Sequence, residues 1–147
     1  MSETVLITGA TGMIGSEITR QLRHQGTNVH YLSRNRAGLR EEPGLRGFHW
    51  DPANQQMDPE ALEGVTAIVN LAGAPISMPW TRTNKALIVR SRVDSLNTLK
   101  AAIEKSSSPP PAFIISASAI GIYPSDLCHY YTENEDTGDD SFLSTTV

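Results

Sequence analysis

The 147-residue sequence predicts a single domain of the α/β class, a doubly wound and mostly parallel sheet over residues 1–147. Short apolar runs rich in β-branched residues alternate with segments of helical period, an order that builds parallel sheets with helices on both faces. A glycine-rich turn, Gly9-Ala-Thr-Gly12-Met-Ile-Gly15, joins the first run to the first helical segment. Hydrophobic residues make up 39% of the chain, which is enough to exclude a disordered polypeptide.

The first 33 residues predict a strand–helix–strand unit. Thr4–Thr8 is a β-branched apolar run typical of a buried strand, and Asn28–Ser33 predicts the second strand. Between them, Met13–Gln25 predicts a helix that ends before Gly26, because glycine commonly terminates helices. The apolar stripe of that helix comprises Ile14, Ile18 and Leu22. Parallel sheets are assembled from such units, since parallel strands need a crossover connection.

The middle of the chain predicts two more strands. Residues 35–47 are polar and contain Gly and Pro, so they predict a loop, and Phe48–Trp50 predicts a short third strand. Pro59–Leu62 predicts a helical turn, and Ala67–Leu71 predicts a buried fourth strand. Residues 72–81 contain one Gly and two Pro and predict a second loop.

The longest predicted helix covers residues 82–104, and the Ser- and Pro-rich stretch 106–111 ends it. The predicted apolar stripe of this helix comprises Leu87, Val93, Leu96, Leu99 and Ile103. Residues 112–116 predict a fifth strand, and Ser141–Val147 predicts the beginning of a further helix. The segment between them is polar and acidic after Gly121.

About five strands are predicted, where a complete sheet of this kind usually has six. We therefore expect a truncated domain, the N-terminal part of a longer protein whose C-terminal substrate region is absent. The alternative is a complete small domain with a disordered tail. An unfinished sheet exposes an apolar edge or face. The sequence thus predicts marginal stability or self-association of the chain, with a homo-oligomer as one outcome.

Charge and composition exclude several classes of partner. Residues 1–105 hold all 12 Lys and Arg beside 10 acids, whereas residues 106–147 hold six acids and no Lys or Arg, so no basic face for nucleic acid is expected.

No run approaches the roughly 18–20 apolar residues that span a membrane, and no signal peptide is recognised. The single cysteine favours the reducing cytoplasm. His24, His30 and His49 lack metal-ligand spacing, so no metal site is predicted.

The glycine turn is the strongest functional signal, because it follows a strand and opens a helix. Gly9 permits the tight turn, Gly12 lets the backbone approach a pyrophosphate, and Gly15 lets the helix pack closely on the strand. Free N–H groups and the helix dipole favour a phosphate at the helix start. The turn therefore predicts the dinucleotide site of a Rossmann fold. No Gly-Lys-Ser/Thr is present, which argues against a nucleoside triphosphatase.

The end of the second strand predicts the choice of cofactor. Sheets that bind NAD carry an acidic residue about 20 residues after the glycine turn, where it binds the ribose hydroxyls. Here the position holds Arg34, preceded by Ser33 and followed closely by Arg36. Because a guanidinium suits a 2′-phosphate, we predict NADP rather than NAD, bound by Ser33 and Arg34. The alternative is that Arg34 is a solvated loop residue.

These motifs resemble those of a known family. Thr8–Gly15 is similar to the cofactor loop of the extended short-chain dehydrogenase/reductases, and Asn70-Leu-Ala-Gly73 resembles their Asn-Asn-Ala-Gly element. The order of motifs resembles one atypical branch, the SDR39U1-like epimerase family proteins, also described as nucleoside-diphosphate-sugar epimerase-like. The motifs that carry this closer resemblance are Asn70–Ile76, Ser91-Arg-Val93, Ser116–Tyr123, Thr132-Glu133 and Asp140–Leu143.

The resemblance implies an NADP-dependent oxidoreductase or epimerase acting on a small carbonyl or nucleotide-sugar substrate. It implies that the pyrophosphate is held by Gly9, Thr11, Gly12, Met13 and Ile14. It places Arg34 at the adenosine phosphate and Ser116–Ser118 towards the nicotinamide. The residues that it places along the adenosine are Leu71, Ala72 and Gly73.

Catalysis in the resembled superfamily uses a Ser, a Tyr and a Lys four residues after the Tyr. No Tyr-x-x-x-Lys occurs in these 147 residues, and no lysine follows Lys105. Either the pair lies beyond Val147 or this branch lacks it. Ser118 is the candidate for the substrate-orienting serine in one alignment, and Ala119 takes that position in another. The missing pair favours an alternative function, a non-catalytic regulatory module that senses NADP(H).

Overall fold

The computed structural model describes residues 3–126, 128–135 and 138–146. These residues form seven strands and two α-helices, joined by turns and short 3-10 helices. The strands are β1 (Thr4–Thr8), β2 (Asn28–Ser33), β3 (Glu41–Glu42), β4 (Leu45–Asp51), β5 (Gln56–Met57), β6 (Val65–Asn70) and β7 (Phe113–Ser116). The helices are α1 (Met13–His24), between β1 and β2, and α2 (Arg82–Lys105), between β6 and β7.

The sheet has the order β3-β4-β2-β1-β6-β7, and β5 pairs with β4 off this path. Strands β4, β2, β1, β6 and β7 are parallel, whereas the two-residue strands β3 and β5 run antiparallel to β4. The chain winds outward from β1 to β4 and then crosses to the other side of β1 with β6. The order therefore reverses between β1 and β6, and in open α/β sheets ligands bind at the carboxyl ends beside such a reversal. The predicted doubly wound, mostly parallel sheet is confirmed.

The core consists of two apolar clusters, because successive side chains of a strand point to opposite faces of the sheet. Leu6 of β1 and Ile68 of β6 belong to one cluster, to which α2 contributes Leu99. Val5 and Ile7 of β1 belong to the other cluster. The partly buried side chains that α1 packs against this second cluster are Ile18 and Leu22. One helix thus covers each face of the central strands.

The ends of both helices follow from local sequence. Helix α1 ends at His24, one residue before the predicted end, and Gly26 beyond it adopts a left-handed φ of +81°. Helix α2 begins after Thr81, whose side chain accepts a hydrogen bond of 3.2 Å from the Asn84 backbone N–H. Among the described residues, no helix combines the length and the apolar character needed to cross a membrane.

The sequence pattern misplaced most of the buried face of α2. Of the predicted stripe, Leu99 is buried and Ile103 packs against the core, but Leu87, Val93 and Leu96 are exposed by 47%, 49% and 44%. The buried positions are Ile88, Ser95, Thr98 and Leu99. The Ser95 and Thr98 hydroxyls donate to backbone carbonyls within the helix, which satisfies them in the interior. Two of the four buried residues of α2 are therefore polar. A search for regularly spaced apolar residues could not identify them as buried.

The predicted strand count was too low. Strands β3 and β5, each of two residues, lie where no strand was predicted, which raises the count from about five to seven. Strand β4 extends over Leu45–Asp51 rather than Phe48–Trp50, because its backbone pairs with β2 whatever the side chains are. Strand β6 begins at Val65, two residues before its predicted start.

The segment after β7 has little regular structure. A 3-10 helix, Ile120–Ile122, follows the strand, and turns occupy most of residues 141–146. The predicted beginning of a helix at Ser141 is therefore wrong for these residues, and Val147 lies outside the described residues. One backbone hydrogen bond of helical spacing, from Thr145 N–H to Ser141 O, is present at 3.1 Å.

Candidate functional site

The glycine turn lies at the carboxyl end of β1, directly against the chain that leaves β6. Gly9 has a φ of +71°, and a Cβ there would lie 3.1 Å from the carbonyl carbon and oxygen of Leu71. A Cβ on Gly15 would overlap the Gly9 carbonyl oxygen and lie 2.8 Å from the Ala10 Cα. Helix α1 therefore approaches β1 this closely only because residue 15 is glycine. The first and third glycines of the turn, Gly9 and Gly15, thus allow close packing, as the glycine spacing predicts.

The N-terminus of α1 is open and uncapped. Gly12 is the N-cap residue and offers no side chain, and a Cβ on it would meet only the Gly9 carbonyl oxygen, at 3.3 Å. Met13 and Ile14 are 87% and 61% exposed. The first N–H groups of a helix have no partner within it and carry the positive end of the helix dipole. This arrangement fits a pyrophosphate, which supplies acceptors and negative charge where the helix lacks both.

Acidic side chains do not oppose an anion at this helix start. The first turn of α1 contains no acidic residue. Glu17, one turn further on, is bound by the Arg20 guanidinium through contacts of 2.6 and 2.8 Å. These hydrogen bonds, with one from Gln21, lower the pKa of Glu17 to about 2. The carboxylate charge is thus compensated locally.

A buried polar network connects the carboxyl ends of three strands. The Thr8 hydroxyl at the end of β1 donates to the Asn70 side-chain oxygen at 2.7 Å. The Asn70 side-chain nitrogen donates to the Ser116 hydroxyl oxygen at 3.1 Å. Thr8 is fully buried and Asn70 is 5% exposed, whereas Ser116 is exposed. Because Ser116 accepts in this network, its own O–H remains available as a donor.

The same threonine fixes the chain that leaves β6. The Thr8 hydroxyl oxygen accepts hydrogen bonds of 3.0 Å from the backbone N–H groups of Leu71 and Ala72. The Leu71 backbone also lies against Gly9, as its distance from a Cβ there shows. The structure therefore brings Leu71 and Ala72 next to the glycine turn, and Gly73 follows them as an exposed residue. The resemblance placed these three residues along the adenosine, which stays a prediction.

The end of β2 lies beside this site, because Leu32 pairs with Thr8 in the parallel register. Arg34 is exposed, and its side chain takes part in no hydrogen bond or ion pair among the described residues. The Ser33 hydroxyl accepts a hydrogen bond of 3.1 Å from the Asn35 N–H, and Asn35 in turn caps the 3-10 helix at Arg36–Gly38. Ser33 thus shapes the turn, and Arg34 projects from it into solvent.

The serine-bearing segment after β7 is open. Ser118 and Ala119 are exposed residues between β7 and the 3-10 helix that follows, and Ile120 is 89% exposed. No interaction among the described residues joins Ser118 or Arg34 to the glycine turn. The structure thus joins Leu71 and Ala72 to Thr8 and the glycine turn by direct contacts. Ser116 is connected to them by hydrogen bonds through Asn70 and Thr8.

Further along, an aromatic and charged cluster occupies the surface. The Tyr123 and Tyr131 rings stack with centroids 5.2 Å apart, and the His129 ring meets Tyr131 edge-on at 4.5 Å. His129 Nε2 lies 2.5 Å from Glu135. This contact raises the pKa of His129 and is the main cause of the lowered pKa of Glu135, while burial raises the pKa of Tyr131.

Several of these residues were not predicted from the sequence to be functional. Thr8 and Asn70 were counted only as parts of motifs, although a polar residue that ends a buried apolar run is itself a signal. His129 was not considered with the other histidines. The described residues contain no group of three or more His, Cys, Asp or Glu arranged to hold a metal ion. Cys128 is an exposed free thiol.

A shallow apolar groove of about 550 Å³ lies away from the glycine turn, between α2 and the C-terminal segment. Its lining includes Lys85, Val89, Val93 and Phe142. The Lys85 ammonium lies 5.6 and 5.0 Å from the ring centroids of Trp80 and Phe142, which themselves meet edge-on at 5.2 Å. These contacts attach the C-terminal segment to the start of α2.

Comparison with known proteins connects this geometry to a family. The NAD dependent epimerase/dehydratase family matches residues 5–146. Epimerase family protein YfhF of Bacillus subtilis is 34% identical over 143 residues, and epimerase family protein SH2119 of Staphylococcus haemolyticus is 32% identical over 142 residues. Each alignment covers 97% of this chain and 46% of the relative. The chain thus spans about half the length of these curated relatives.

Solved structures of other proteins have a similar fold over nearly the whole of this chain. The human epimerase family protein SDR39U1, solved with NADPH, has a TM-score of 0.73 at 28% identity, covering 97% of this chain and 45% of that one. The nucleoside-diphosphate sugar epimerase from Corynebacterium glutamicum has a TM-score of 0.74 at 33% identity, covering 99% and 29%. MoeE5, solved with UDP-glucose and NAD, shares the fold at a TM-score of 0.72 and 24% identity, covering 97% and 45%. With its glycine turn, its sheet order and this match over nearly its whole length, the chain belongs to the NAD dependent epimerase/dehydratase family.

Proposed function

We propose that this chain binds a nicotinamide dinucleotide beside the reversal of strand order between β1 and β6, and that it prefers NADP(H) to NAD(H). We propose further that the whole protein is an oxidoreductase or epimerase acting on a small carbonyl or nucleotide-sugar substrate. The observation that carries the proposal is the open, uncapped N-terminus of α1 within a glycine turn whose first and third glycines are closely packed. Membership of the family and the similar human protein solved with NADPH support it.

The chain's own residues supply binding and orientation. The N–H groups at the start of α1, around Gly12, Met13 and Ile14, bind the pyrophosphate, with Gly9 and Thr11 completing the turn. Thr8 holds the backbone N–H groups of Leu71 and Ala72. We propose that residues 71–73 lie along the adenosine half. The nicotinamide supplies hydride transfer when it is bound.

The preference for the phosphorylated cofactor depends on Arg34. Its guanidinium follows directly on the strand beside β1 and has no carboxylate partner among the described residues. It is therefore free to bind a 2′-phosphate, for which its planar donors are suited. An acidic residue, the usual partner of the NAD ribose, is absent from residues 33–36.

Ser116 and Ser118 are the candidate groups on the substrate side. The Asn70 side chain fixes the Ser116 hydroxyl oxygen and leaves its proton to be donated. We therefore assign Ser116 to the nicotinamide end of the site and Ser118 to the substrate oxygen. A small-molecule substrate fits this placement, and the single cysteine of the chain fits a cytoplasmic location.

One observation favours a second function. The 147 residues contain no Tyr-x-x-x-Lys, so they hold no proton donor of the usual kind. A module that binds NADP(H) without turnover and regulates a partner would need the glycine turn and Arg34 alone. The two functions differ in one result. An enzyme consumes NADPH when the whole protein meets a carbonyl or nucleotide-sugar substrate, and a sensor does not.

The proposed binding is tested by titrating the chain with NADPH and NADH while following nicotinamide fluorescence. We expect Arg34→Ala to weaken NADPH binding about tenfold or more, because it removes a charge-assisted hydrogen bond to phosphate. We expect NADH binding to change less than about twofold, since NADH has no 2′-phosphate. Arg90→Ala on α2 is the matched control, as it removes an equal and exposed charge elsewhere.

Two outcomes would contradict the proposal in different ways. Equal binding of NADPH and NADH in both wild type and Arg34→Ala would exclude the role of Arg34 and leave a site without preference. Failure of the wild-type chain to bind either nucleotide would contradict binding by this chain.

A further inference from the structure

The Ser91-Arg-Val93 motif belongs to α2, yet it contacts the chain that leaves β6. The Ser91 hydroxyl oxygen accepts a hydrogen bond of 2.8 Å from the Ala74 backbone N–H and donates to the Ile88 carbonyl at 2.9 Å. The Arg92 Nη1 donates to the Ala74 carbonyl at 3.2 Å and to the Ile88 carbonyl at 3.0 Å. Two neighbouring side chains of the helix thus bind both backbone polar groups of one loop residue.

The lack of a side chain at Gly73 leaves room for the Arg92 guanidinium beside the loop. A Cβ on Gly73 would lie 3.1 Å from the Arg92 Cζ and Nη1 and 3.4 Å from its Nη2. The two distances of 3.1 Å are shorter than most Cβ contacts, so a side chain at residue 73 would require the guanidinium to shift by a few tenths of an ångström. The absence of a Cβ therefore lets the guanidinium approach Gly73 closely while it donates to the Ala74 carbonyl.

Arg92 is not held there by an opposite charge. No salt bridge among the described residues includes it, and its partners are the two backbone carbonyls. Partial burial lowers the pKa of its guanidinium. An arginine that is desolvated without a carboxylate partner retains its place through the hydrogen bonds and packing that it provides.

The loop is consequently fixed from two opposite sides. Thr8 of β1 binds the N–H groups of Leu71 and Ala72, and the Ser91–Arg92 pair of α2 binds Ala74. Gly73 stands between the two anchors. Leu71 also lies against Gly9, so this loop runs directly beside the glycine turn.

We propose that Ser91 and Arg92 are positioning residues for the nucleotide site, which they shape by holding the backbone of residues 73–74. The proposal rests on the proposed function, since it assigns to these side chains an effect on nucleotide affinity. Neither side chain is proposed to touch the nucleotide. Their effect is to hold the loop in the conformation that binding requires, so that less conformational freedom is lost on binding.

The test measures NADPH affinity, thermal midpoint and amide exchange in matched alanine variants of the whole chain. We expect Ser91→Ala and Arg92→Ala each to raise the Kd for NADPH about tenfold, the equivalent of about 1.4 kcal/mol. The controls are Ser95→Ala, which removes a buried helix serine bonded only within α2, and Arg90→Ala, which removes a neighbouring exposed charge. We expect each control to change the Kd less than about twofold.

A double variant separates the contact from general destabilisation. Gly73→Ala should raise the Kd about tenfold in wild type but less than about threefold in the Arg92→Ala background, because the obstructing guanidinium is then gone. Additive effects of Gly73→Ala and Arg92→Ala would overturn the proposal. So would Ser91 and Arg92 variants that bind NADPH as the controls do.

Amide exchange provides a measurement that does not need a nucleotide. Ser91→Ala should speed exchange of the Ala74 N–H relative to Ser95→Ala, because the acceptor of that N–H is removed. If wild type binds no nucleotide, the proposed function fails, and the exchange rates still decide whether the pair holds the loop. Equal exchange in both variants would overturn that role.

Discussion

Strands β1 and β7 have nearly the same kind of sequence and opposite environments. β1 is Thr-Val-Leu-Ile-Thr and is buried at all five positions, whereas β7 is Phe-Ile-Ile-Ser and is exposed at all four. β1 lies between β2 and β6 with a helix on each face, and β7 pairs only with β6 among the described strands. The difference shows that an apolar, β-branched run predicts a strand, while its neighbours decide whether the strand is buried.

Truncation of one apolar side chain in each strand should give the largest difference between them. Leu6→Ala removes a fully buried side chain and should lower the free energy of unfolding by about 2–5 kcal/mol. Ile115→Ala alters a side chain that is 55% exposed and should lower it by less than about 1 kcal/mol. Urea unfolding followed by circular dichroism measures both. Similar losses in the two variants would mean that β7 is covered in solution.

The glycine turn allows a second contrast, between packing and binding. Gly15→Ala places a Cβ against the Gly9 carbonyl and the Ala10 Cα, and we expect it to destabilise the chain by about 1–3 kcal/mol. Gly12→Ala meets only the Gly9 carbonyl oxygen at 3.3 Å and places alanine at the N-cap, so it should lower the thermal midpoint less than Gly15→Ala does. It should nevertheless weaken NADPH binding, because the new Cβ covers the helix N-terminus. If Gly12→Ala bound NADPH as wild type does, the pyrophosphate would have to lie elsewhere.

The exposed strand predicts self-association. Phe113 and Ile115 lie on one face of β7 and are 56% and 55% exposed. We expect analytical ultracentrifugation to show concentration-dependent association, weakened about tenfold by the pair Phe113→Lys and Ile115→Lys, because charge on an edge strand opposes pairing. Leu96→Lys on α2 is the control for an added charge at an exposed apolar residue. A monodisperse wild-type monomer at micromolar concentration would contradict this prediction.

The smallest expected effect concerns the segment after β7. There an exposed ion pair, rather than a hydrophobic core, contributes to the free energy of unfolding. Glu135 has a pKa below its usual 4.5 and His129 a pKa above its usual 6.5, each chiefly because of their mutual hydrogen bond. The Glu135 contribution is present above pH 4.5 and is lost as the pH falls through its lowered pKa. The His129 contribution is present below pH 6.5 and is lost as the pH rises through its raised pKa. The pair is therefore strongest between these limits.

An NMR titration of the His129 ring checks this pair. In Glu135→Gln the midpoint should fall towards 6.5, because the carboxylate that stabilises the imidazolium is gone. In Glu133→Gln, a neighbouring exposed acid, the midpoint should stay where it is in wild type. An unchanged midpoint in Glu135→Gln would show that the two side chains are apart in solution.

Much of the fold, including the position of the glycine turn, could be predicted, because the signals are local. A strand, a glycine turn and an amphipathic helix follow one another within residues 4–24, and each depends on near neighbours in the chain. Family membership followed from the order of such motifs. The two-residue strands β3 and β5 could not be predicted, since only their partner β4 makes them strands. Ser95 and Thr98 likewise gave no apolar signal for the buried face of α2.

The element order, the parallel sheet and the glycine turn followed from the sequence alone, because steric freedom at glycine and hydrophobic period act over a few residues. The network of Thr8, Asn70 and Ser116, in contrast, depends on how the strands pair. Tertiary packing alone brought Ser91 and Arg92 to the loop at Ala74 from 17 and 18 residues away. Burial of β1 and exposure of β7 were decided in the same way. Each of these outcomes depends on which elements meet in space, and hydrogen bonds and burial between distant residues have no local pattern.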